Sequence, residues 1–288
     1  YAPPKGFKPW CTANIPQPTA VRPDKYFGVV KYTGDGNSPR SFTGLGFKPD
    51  FIWYKETTQD RDHQLYDTVR GVGPAKNLVT NTTYAQASND DTSYGYTSSF
   101  DIDGWTVTDG TGGGNANIYT NQNEQGYVCW AWKAGGNSNT FNVDDKGYAT
   151  AAAAGLTAGD TVPTAASVGT KQGFSIIRYT GPNNTSNHEV PHGLSQAPNF
   201  IITKNLDTTF NWDIYHSSLE DDKYLIFTSA DPRSSGFNGR PTSTVFKTEH
   251  DYSTNENQSY IAYCWHNVPG VQKFGSYTGN GAKNFVYL

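Results

Sequence analysis

The 288-residue sequence is poor in charge, cysteine and long apolar runs. Charged residues make up 17% of the chain, and 22 basic residues face 26 acidic ones, so we expect no basic surface for nucleic acid. No apolar run approaches the roughly 20 residues that span a bilayer, so we expect no membrane insertion. Three cysteines, Cys11, Cys129 and Cys264, cannot all be paired in intrachain disulfides. Stability must therefore come from packing.

Aromatic residues and glycine are abundant instead. The 19 Tyr, 15 Phe and 7 Trp give a 14% aromatic share, beside 30 Gly and 16 Pro. Such residues favour short strands and turns, whereas long helices need the Ala, Leu, Glu and Lys that are scarce here. The composition predicts an all-β fold.

The sequence contains an internal repeat. Residues 27–34 (FGVVKYTG) are echoed by 174–181 (FSIIRYTG), and residues 45–55 (LGFKPDFIWYK) align with 194–204 (LSQAPNFIITK) at an offset of 149. Each copy closes on an aromatic strand, and a third copy begins at residue 274 (FGSYTGNG). We predict that the two copies superpose. The matched positions are Tyr32 and Tyr179, Pro49 and Pro198, and Trp132 and Trp265.

Each copy consists of short apolar stretches between turn-forming clusters, the pattern of a β-sandwich or jelly roll. We predict tandem sandwiches over residues 25–134 and 171–268, joined by a linker over 135–170 and preceded by a proline-rich arm over 1–24. Residues 269–288 read as an orphan hairpin that starts a third repeat. It either adds to a sheet edge of a neighbouring subunit, giving a homo-oligomer, or begins a longer third domain.

The closing strands (127–133, YVCWAWK, and 260–266, YIAYCWH) are apolar on both faces. Alternate residues share a face, so Cys129 points away from Trp130 and Trp132. Cys129 and Cys264 are predicted to be small core residues. A strand that is apolar on both faces is either central in the fold or carries an exposed aromatic platform on one side.

The segment from His188 to His192 (HEVPH) matches the helical zinc motif in which two histidines one turn apart hold the metal. Pro191 lies inside it, and the repeat aligns it with a strand and turn in the first copy. We therefore predict extended chain here, with no metal bound.

Two other segments place carboxylates near a turn glycine, at Asp101 and Asp103 and at Asp144 and Asp145. Neither has the ligand spacing of an EF-hand loop, so Asx-turns are the favoured interpretation. We expect no cofactor, and calcium is the one ion that these turns leave open.

Aromatic side chains on loops can stack on sugar rings, while neighbouring amides and carboxylates bond the hydroxyls. Four tryptophans lie within apolar strands, which predicts core packing: Trp53, Trp130, Trp132 and Trp265. Two others stand nearer loop ends, one after an Asp-Gly turn and one between two polar residues. The predicted ligand-binding residues are Trp105, Trp212, Asn211 and Asp213.

Several strings together resemble a known family. They are residues 30–34 (VKYTG), 49–53 (PDFIW), 127–133 (YVCWAWK), 147–156 (GYATAAAAGL), 192–194 (HGL) and 273–281 (KFGSYTGNG). Their order resembles the repeated β-domains of virion proteins of tailed bacteriophages, especially marine and cyanobacterial phages. Residues 1–14 resemble the exit from a SPRY-like sandwich.

The resemblance implies a structural virion protein, a tail fibre or capsid decoration on the outer surface of the particle. It implies other virion proteins, further copies of the chain and host-surface glycan as partners, and it implies no catalytic residues. The alternative is a carbohydrate-active enzyme, or its binding module, on a jelly-roll scaffold. Such an enzyme needs two carboxylates across a cleft, which should recur in both copies. Asp50 aligns with Asn199 and Asp67 with His216, which favours the non-enzyme.

Overall fold

The computed structural model describes residues 22–88, 91–181, 188–221, 223–227, 229–234, 237, 239–248 and 257–281. The protein is all-β, as its composition predicts. Helix in the described ranges amounts to one α-helical turn, α1 (Asp91–Tyr94), and two 3-10 turns (Pro23–Lys25 and Gly113–Asn115). No helix in these ranges is both long and apolar enough to cross a membrane.

The first half builds a five-stranded sheet and a three-stranded sheet. The five-stranded sheet has the order β1-β8-β3-β4-β5 and the three-stranded sheet the order β2-β7-β6. The strands are β1 (Phe27–Thr33), β2 (Arg40–Phe42), β3 (Phe51–Glu56), β4 (Gln64–Asp67), β5 (Leu78–Val79), β6 (Tyr96–Asp101), β7 (Gly104–Thr108) and β8 (Gly126–Trp132).

The second half builds a nine-stranded sheet and a two-stranded sheet. The strands are β9 (Phe141–Val143), β10 (Lys146–Tyr148), β11 (Ala165–Gly169), β12 (Phe174–Thr180), β13 (His188–Pro191), β14 (Phe200–Asn205), β15 (Trp212–His216), β16 (Lys223–Ile226), β17 (Ser229–Ser234), β18 (Val245–Thr248) and β19 (Ser259–Trp265). The nine-stranded sheet has the order β10-β9-β11-β12-β19-β14-β15-β16-β17, and β13 pairs with β18.

The four sheets stack in layers with three hydrophobic cores between them. One core lies between the three-stranded and five-stranded sheets, and another between the nine-stranded sheet and the β13-β18 pair. The middle core joins the two halves, because the five-stranded and nine-stranded sheets pack face to face. There the ring of Phe51 lies 4.9 Å from that of Tyr263 and 5.7 Å from that of Phe174.

The two copies have the same strand order and register, β1-β8-β3-β4 in the first and β12-β19-β14-β15 in the second. The last tryptophan of each closing strand stands between two phenylalanines. The matched rows are Phe27–Trp132–Phe51 and Phe174–Trp265–Phe200. The backbone pairing thus repeats where the sequence repeats.

The linker predicted over residues 135–170 is wrong. Strands β9, β10 and β11 all belong to the nine-stranded sheet, where β11 pairs antiparallel with β12 and parallel with β9. Ala151 and Leu156 are buried in the outer core. The threonine- and alanine-rich composition of the segment resembles that of a flexible linker, but small side chains also fit a strand that is covered on both sides.

The two ends of the chain differ from expectation where they are described. Residues 1–21 of the predicted arm lie outside the described residues, and residues 23–25 form a 3-10 turn. Residues 273–277 of the predicted hairpin form no strand, and Phe274 stacks on Phe200 with ring centroids 5.3 Å apart. Residues 282–288 of the predicted hairpin lie outside the described residues, and the homo-oligomer stays a prediction.

We call the contact between the two halves, centred on the middle core, the joint. Residues 78–86 of the first half, called the covering segment, cover one side of it. The indole N–H of Trp212 donates to the carbonyls of Val79 and Thr82, both at 3.1 Å. Lys204 Nζ donates to the Thr83 carbonyl at 3.2 Å. Buried carbonyls left without donors are costly, so these bonds fix how the halves meet.

Trp212→Phe should therefore destabilise the protein more than Trp105→Phe. Both tryptophans are 1% exposed, so both substitutions remove a similar buried volume. Only Trp212 has acceptors for its N–H, since that of Trp105 finds none among the described residues. We expect the difference in the free energy of unfolding to be about 1–2 kcal/mol, measured by urea denaturation. Equal losses would contradict this account of the joint.

Candidate functional site

The ligand site predicted around Trp105 and Trp212 is wrong. Trp105 stacks on Phe42 in the core of the first half, and Trp212 lies in the middle core. Asp213 is buried beside it and Asn211 is half-buried. The two tryptophans lie in different cores and form no common surface. Their positions next to turns predict exposed side chains, but in the structure an adjacent sheet covers each of them.

A partly open aromatic surface exists elsewhere, where the face of β1, β8 and β3 that packs into the middle core extends beyond it. Directly opposite residues of paired strands share a face, so the register defines its rows. The rows are Phe27–Trp132–Phe51, Val29–Trp130–Trp53 and Lys31–Val128–Lys55. Val29 is 53% exposed, Lys31 is exposed, and Trp53, Trp130 and Trp132 are half-buried. Phe51, at one corner, is buried in the middle core. We call the other eight residues the aromatic platform.

The platform borders two adjoining cavities. One, of about 360 Å³, is lined by Trp53, Lys55, His63, Trp130 and Trp132. The other, of about 300 Å³, shares Trp53 and Trp132 and extends across the joint towards Phe274. Both volumes reach the lower end of the range typical of ligand pockets.

The geometry of the platform suits a ligand with flat apolar faces and polar edges. The rings of Trp53 and Trp130 lie 6.0 Å apart and tilted at 54°, and both side chains line the larger cavity. Lys55 Nζ donates to the Arg61 carbonyl at 2.9 Å, which uses one of the three donors of its ammonium group. Burial, and then the charge of Lys55, lower the pKa of His63, so its imidazole is neutral at pH 7.

The equivalent face of the second copy is closed. Its counterparts are Ile202 for Trp53, Lys204 for Lys55, Trp212 for His63, Tyr263 for Trp130 and Trp265 for Trp132. All five are buried, against the first half and its covering segment. The platform is therefore the one of two duplicated faces that stays accessible.

Core packing was the prediction for Trp53, Trp130, Trp132 and Trp265, and it holds fully only for Trp265, which is 4% exposed and lies outside the platform. The signal for the platform is present in the closing strand β8. Its odd-numbered residues from Tyr127 to Ala131 are fully buried, whereas Trp130 and Trp132 on the other face are half-buried. An exposed aromatic face was one of the two alternatives that this pattern left open.

The HEVPH segment lies on strand β13, so the predicted extended conformation is confirmed. His188 Nδ1 lies 3.1 Å from an Asp160 oxygen, while His192 accepts the Leu194 N–H at Nδ1 and contacts the Thr242 carbonyl through Nε2. Burial lowers the pKa of His192 to about 4, which keeps the ring neutral at pH 7. Each ring thus has its own partners within the protein.

The carboxylates of the two glycine turns bond to nearby chain. Asp103 accepts the N–H of Gly44 at 2.8 Å, and Asp144 accepts both the N–H and the hydroxyl of Thr170. Their partners lie 59 and 26 residues away in the chain, so these bonds tie separate segments together and are not the local bonds of an Asx-turn, in which the side chain bonds its own backbone two residues on. The described residues contain no cluster of three or more His, Cys, Asp or Glu able to hold a metal ion.

Asp50 and its counterpart Asn199 perform the same structural role. Asp50 accepts the N–H groups of Ala134 and Gly136 at 2.8 and 3.1 Å, just after the closing strand β8. Asn199 accepts the N–H of Asn267, at the matching place after β19, at 2.8 Å. The position needs an acceptor, and both side chains supply one.

Asp67 is part of the joint between the halves. Its carboxylate accepts Arg70 Nε and the Tyr263 hydroxyl, each at 2.6 Å, and both side chains of the ion pair are fully buried. Burial raises the pKa of Tyr263 well above its ordinary value, so its hydroxyl stays a donor. The Asp67 carboxylate therefore binds a residue of the second copy.

Fold and site together define an all-β protein with two copies of one sheet, in which one copy keeps an open aromatic face. Residues 22–288 match the family described as Domain of unknown function (DUF7483), so the chain belongs to that family. No curated protein and no solved structure matches the chain.

Asp50→Asn should leave stability nearly unchanged, because an asparagine already occupies the equivalent position of the second copy. Its Oδ1 can accept the Ala134 and Gly136 N–H groups, as Asn199 accepts that of Asn267. Asp50→Leu, of similar size but without an acceptor, should lower the free energy of unfolding by about 2 kcal/mol or more. Urea denaturation of both variants measures the contrast. A large loss in Asp50→Asn would show that the position needs its charge.

Proposed function

We propose that this chain is a structural protein of a phage virion surface, a fibre or decoration, whose aromatic platform binds polysaccharide of the host surface. The observation that carries the glycan part is the platform itself. Its half-buried indole rings line two cavities on one sheet face, whereas the duplicated face of the second copy is buried. Indole faces match the apolar faces of sugar rings.

The scaffold supports recognition by a rigid surface. The platform lies on three paired strands, and its tryptophans are held by packing against one another and against the joint. Sites built on strands are more precise than sites on loops, so little ordering of the protein would accompany binding.

The alternative, a carbohydrate-active enzyme, has less support. A glycosidase needs two carboxylates that face each other across the substrate. The side chains that line the larger cavity are Trp53, Lys55, His63, Trp130 and Trp132. The buried carboxylates of Asp50 and Asp67 are bonded to backbone N–H groups, to Arg70 and to Tyr263. These contacts favour binding without chemistry.

The virion part of the proposal rests on the resemblance of the repeated strings to phage β-domains. The tandem architecture agrees with it, because two sandwiches packed face to face make a stiff spacer. The wide central core, with Phe51 against Tyr263, would resist bending between the copies.

Trp130→Ala should weaken polysaccharide binding at least about tenfold, because one of the stacking faces is lost. The purified chain would be tested on an array of bacterial-surface polysaccharides, with tryptophan fluorescence and calorimetry on those that bind. Tyr277→Ala is the matched control, since Tyr277 is an aromatic residue 75% exposed and outside the platform. Circular dichroism of both variants would verify folding.

The glycan part fails if no polysaccharide binds, or if Trp130→Ala and Tyr277→Ala bind as the unmodified chain does. Binding that responds to Tyr277→Ala alone would place the site outside the platform.

An antibody against the chain should label the outside of intact phage particles. Gold-labelled electron micrographs would show label on fibres or on the capsid surface, because a surface protein must be accessible there. Particles treated with pre-immune serum are the control. Labelling confined to disrupted particles, or absent altogether, would contradict the virion-surface part and leave the glycan part to be judged separately.

A further inference from the structure

The platform carries positive charge at one edge. Lys31 and Lys55 occupy the same register row, one on each side of Val128, directly beside the row that contains Trp130 and Trp53. They are two inter-strand spacings apart, about 10 Å between backbones. Lys31 is exposed and Lys55 is half-buried.

No acidic residue balances them within the three described rows of the platform. Glu56 follows Lys55 in β3, so it points to the opposite face, where it is buried. The charges of Asp60 and Asp62 lie close enough to His63 to oppose the lowering of its pKa, and Asp62 accepts a hydrogen bond from Asn81 Nδ2 at 2.8 Å. The edge of the tryptophan row therefore presents two ammonium groups.

The second copy shows what happens when protein covers this row. Lys204, the counterpart of Lys55, donates to the carbonyls of Phe210 and Thr83, and burial lowers its pKa to about 8. Lys55 makes the equivalent of the first bond, to Arg61, the residue aligned with Phe210. The second acceptor in the closed copy comes from the covering segment. On the open platform, a ligand oxygen can take that place.

We propose that the ligand of the platform is an acidic polysaccharide, whose sugar rings stack on Trp130 and Trp53 and whose carboxylates pair with Lys31 and Lys55. This rests on the proposed glycan function and narrows it to one class of ligand. Charge complementarity selects it: ammonium–carboxylate pairs on a surface add attraction that a neutral glycan cannot offer.

The test compares matched ligands. Polygalacturonate and alginate fragments, each with its carboxyl-reduced counterpart, and neutral dextran would be titrated into the full chain at low and high ionic strength. We expect at least one acidic fragment to bind about tenfold more tightly than its reduced form, a gap of about 1.4 kcal/mol. Raising the salt concentration should narrow that gap, because it screens exposed charges.

Two variants assign the effect to the lysine row. The double variant Lys31→Gln and Lys55→Gln should bind the acidic fragment no better than the reduced one. Lys171→Gln removes one charge at an exposed position outside the platform and should alter neither affinity. Val29→Lys, at a 53% exposed position of the tryptophan row, should strengthen acidic binding without disturbing the core.

Each outcome is decisive. Equal affinity for acidic and reduced fragments, or loss of acidic binding in Lys171→Gln as much as in the double variant, overturns the acidic class and leaves the glycan function standing. Binding of dextran without binding of any acidic fragment also overturns the acidic class and leaves the glycan function standing. If none of the fragments binds, the proposal fails. A loss of self-association in the double variant, measured by light scattering, would then show that a second copy of the chain covers the platform.

Discussion

The closing strands β8 and β19 have apolar side chains on both faces, and this constraint shapes the whole molecule. A strand of that kind favours a position between two cores, because either face left in water exposes large aromatic rings. Each sandwich supplies one core, on the side of Tyr127 in β8 and of Tyr260 in β19. The other face packs against the second copy. Stacking the two sandwiches face to face buries this face of β19 and covers that of β8 only in part, and it yields four layers instead of two separate domains.

The two copies are covered unequally because their sheets meet off centre. Phe51 of the first copy lies against Tyr263, but its counterpart Phe200 packs on Trp265 and Phe274. The difference begins at the sheet edge. Strand β1 is an edge strand, whereas its counterpart β12 is flanked by β11. The middle core is centred on β3, β4 and β5, so the outer face of β1 and β8 extends beyond it and remains open. The accessible platform is a consequence of how duplicated sheets pack.

Repetition made the strand order and register predictable, because equal strings at equal spacing fold alike. Burial of Cys129 and Cys264 followed from the period of two along a strand. The packing of one sheet on another could not be predicted from the repeat, because it depends on which of the two apolar faces of a strand packs against another sheet. Trp212 was therefore expected near a ligand although its N–H bonds the covering segment, and Trp130 was expected in a core although it borders a cavity. Strand β11 was missed for a related reason: small residues describe both a linker and a tightly packed strand.

Two acidic positions differ between the copies, and the contacts of each explain the difference. Asp50 and Asn199 differ in charge, but both accept the N–H at the matching position after the closing strand, that of Ala134 and that of Asn267, so either residue suffices there. Asp67 and His216 do not share a role. Asp67 meets Arg70 and the Tyr263 hydroxyl inside the joint, whereas His216 lies at its margin and is half-buried. Once one carboxylate holds the hydroxyl of the other copy, the second copy needs no equivalent. The acidic residues therefore differ between the copies because the two copies pack unequally. The same unequal packing leaves Lys55 accessible, whereas Lys204 is enclosed.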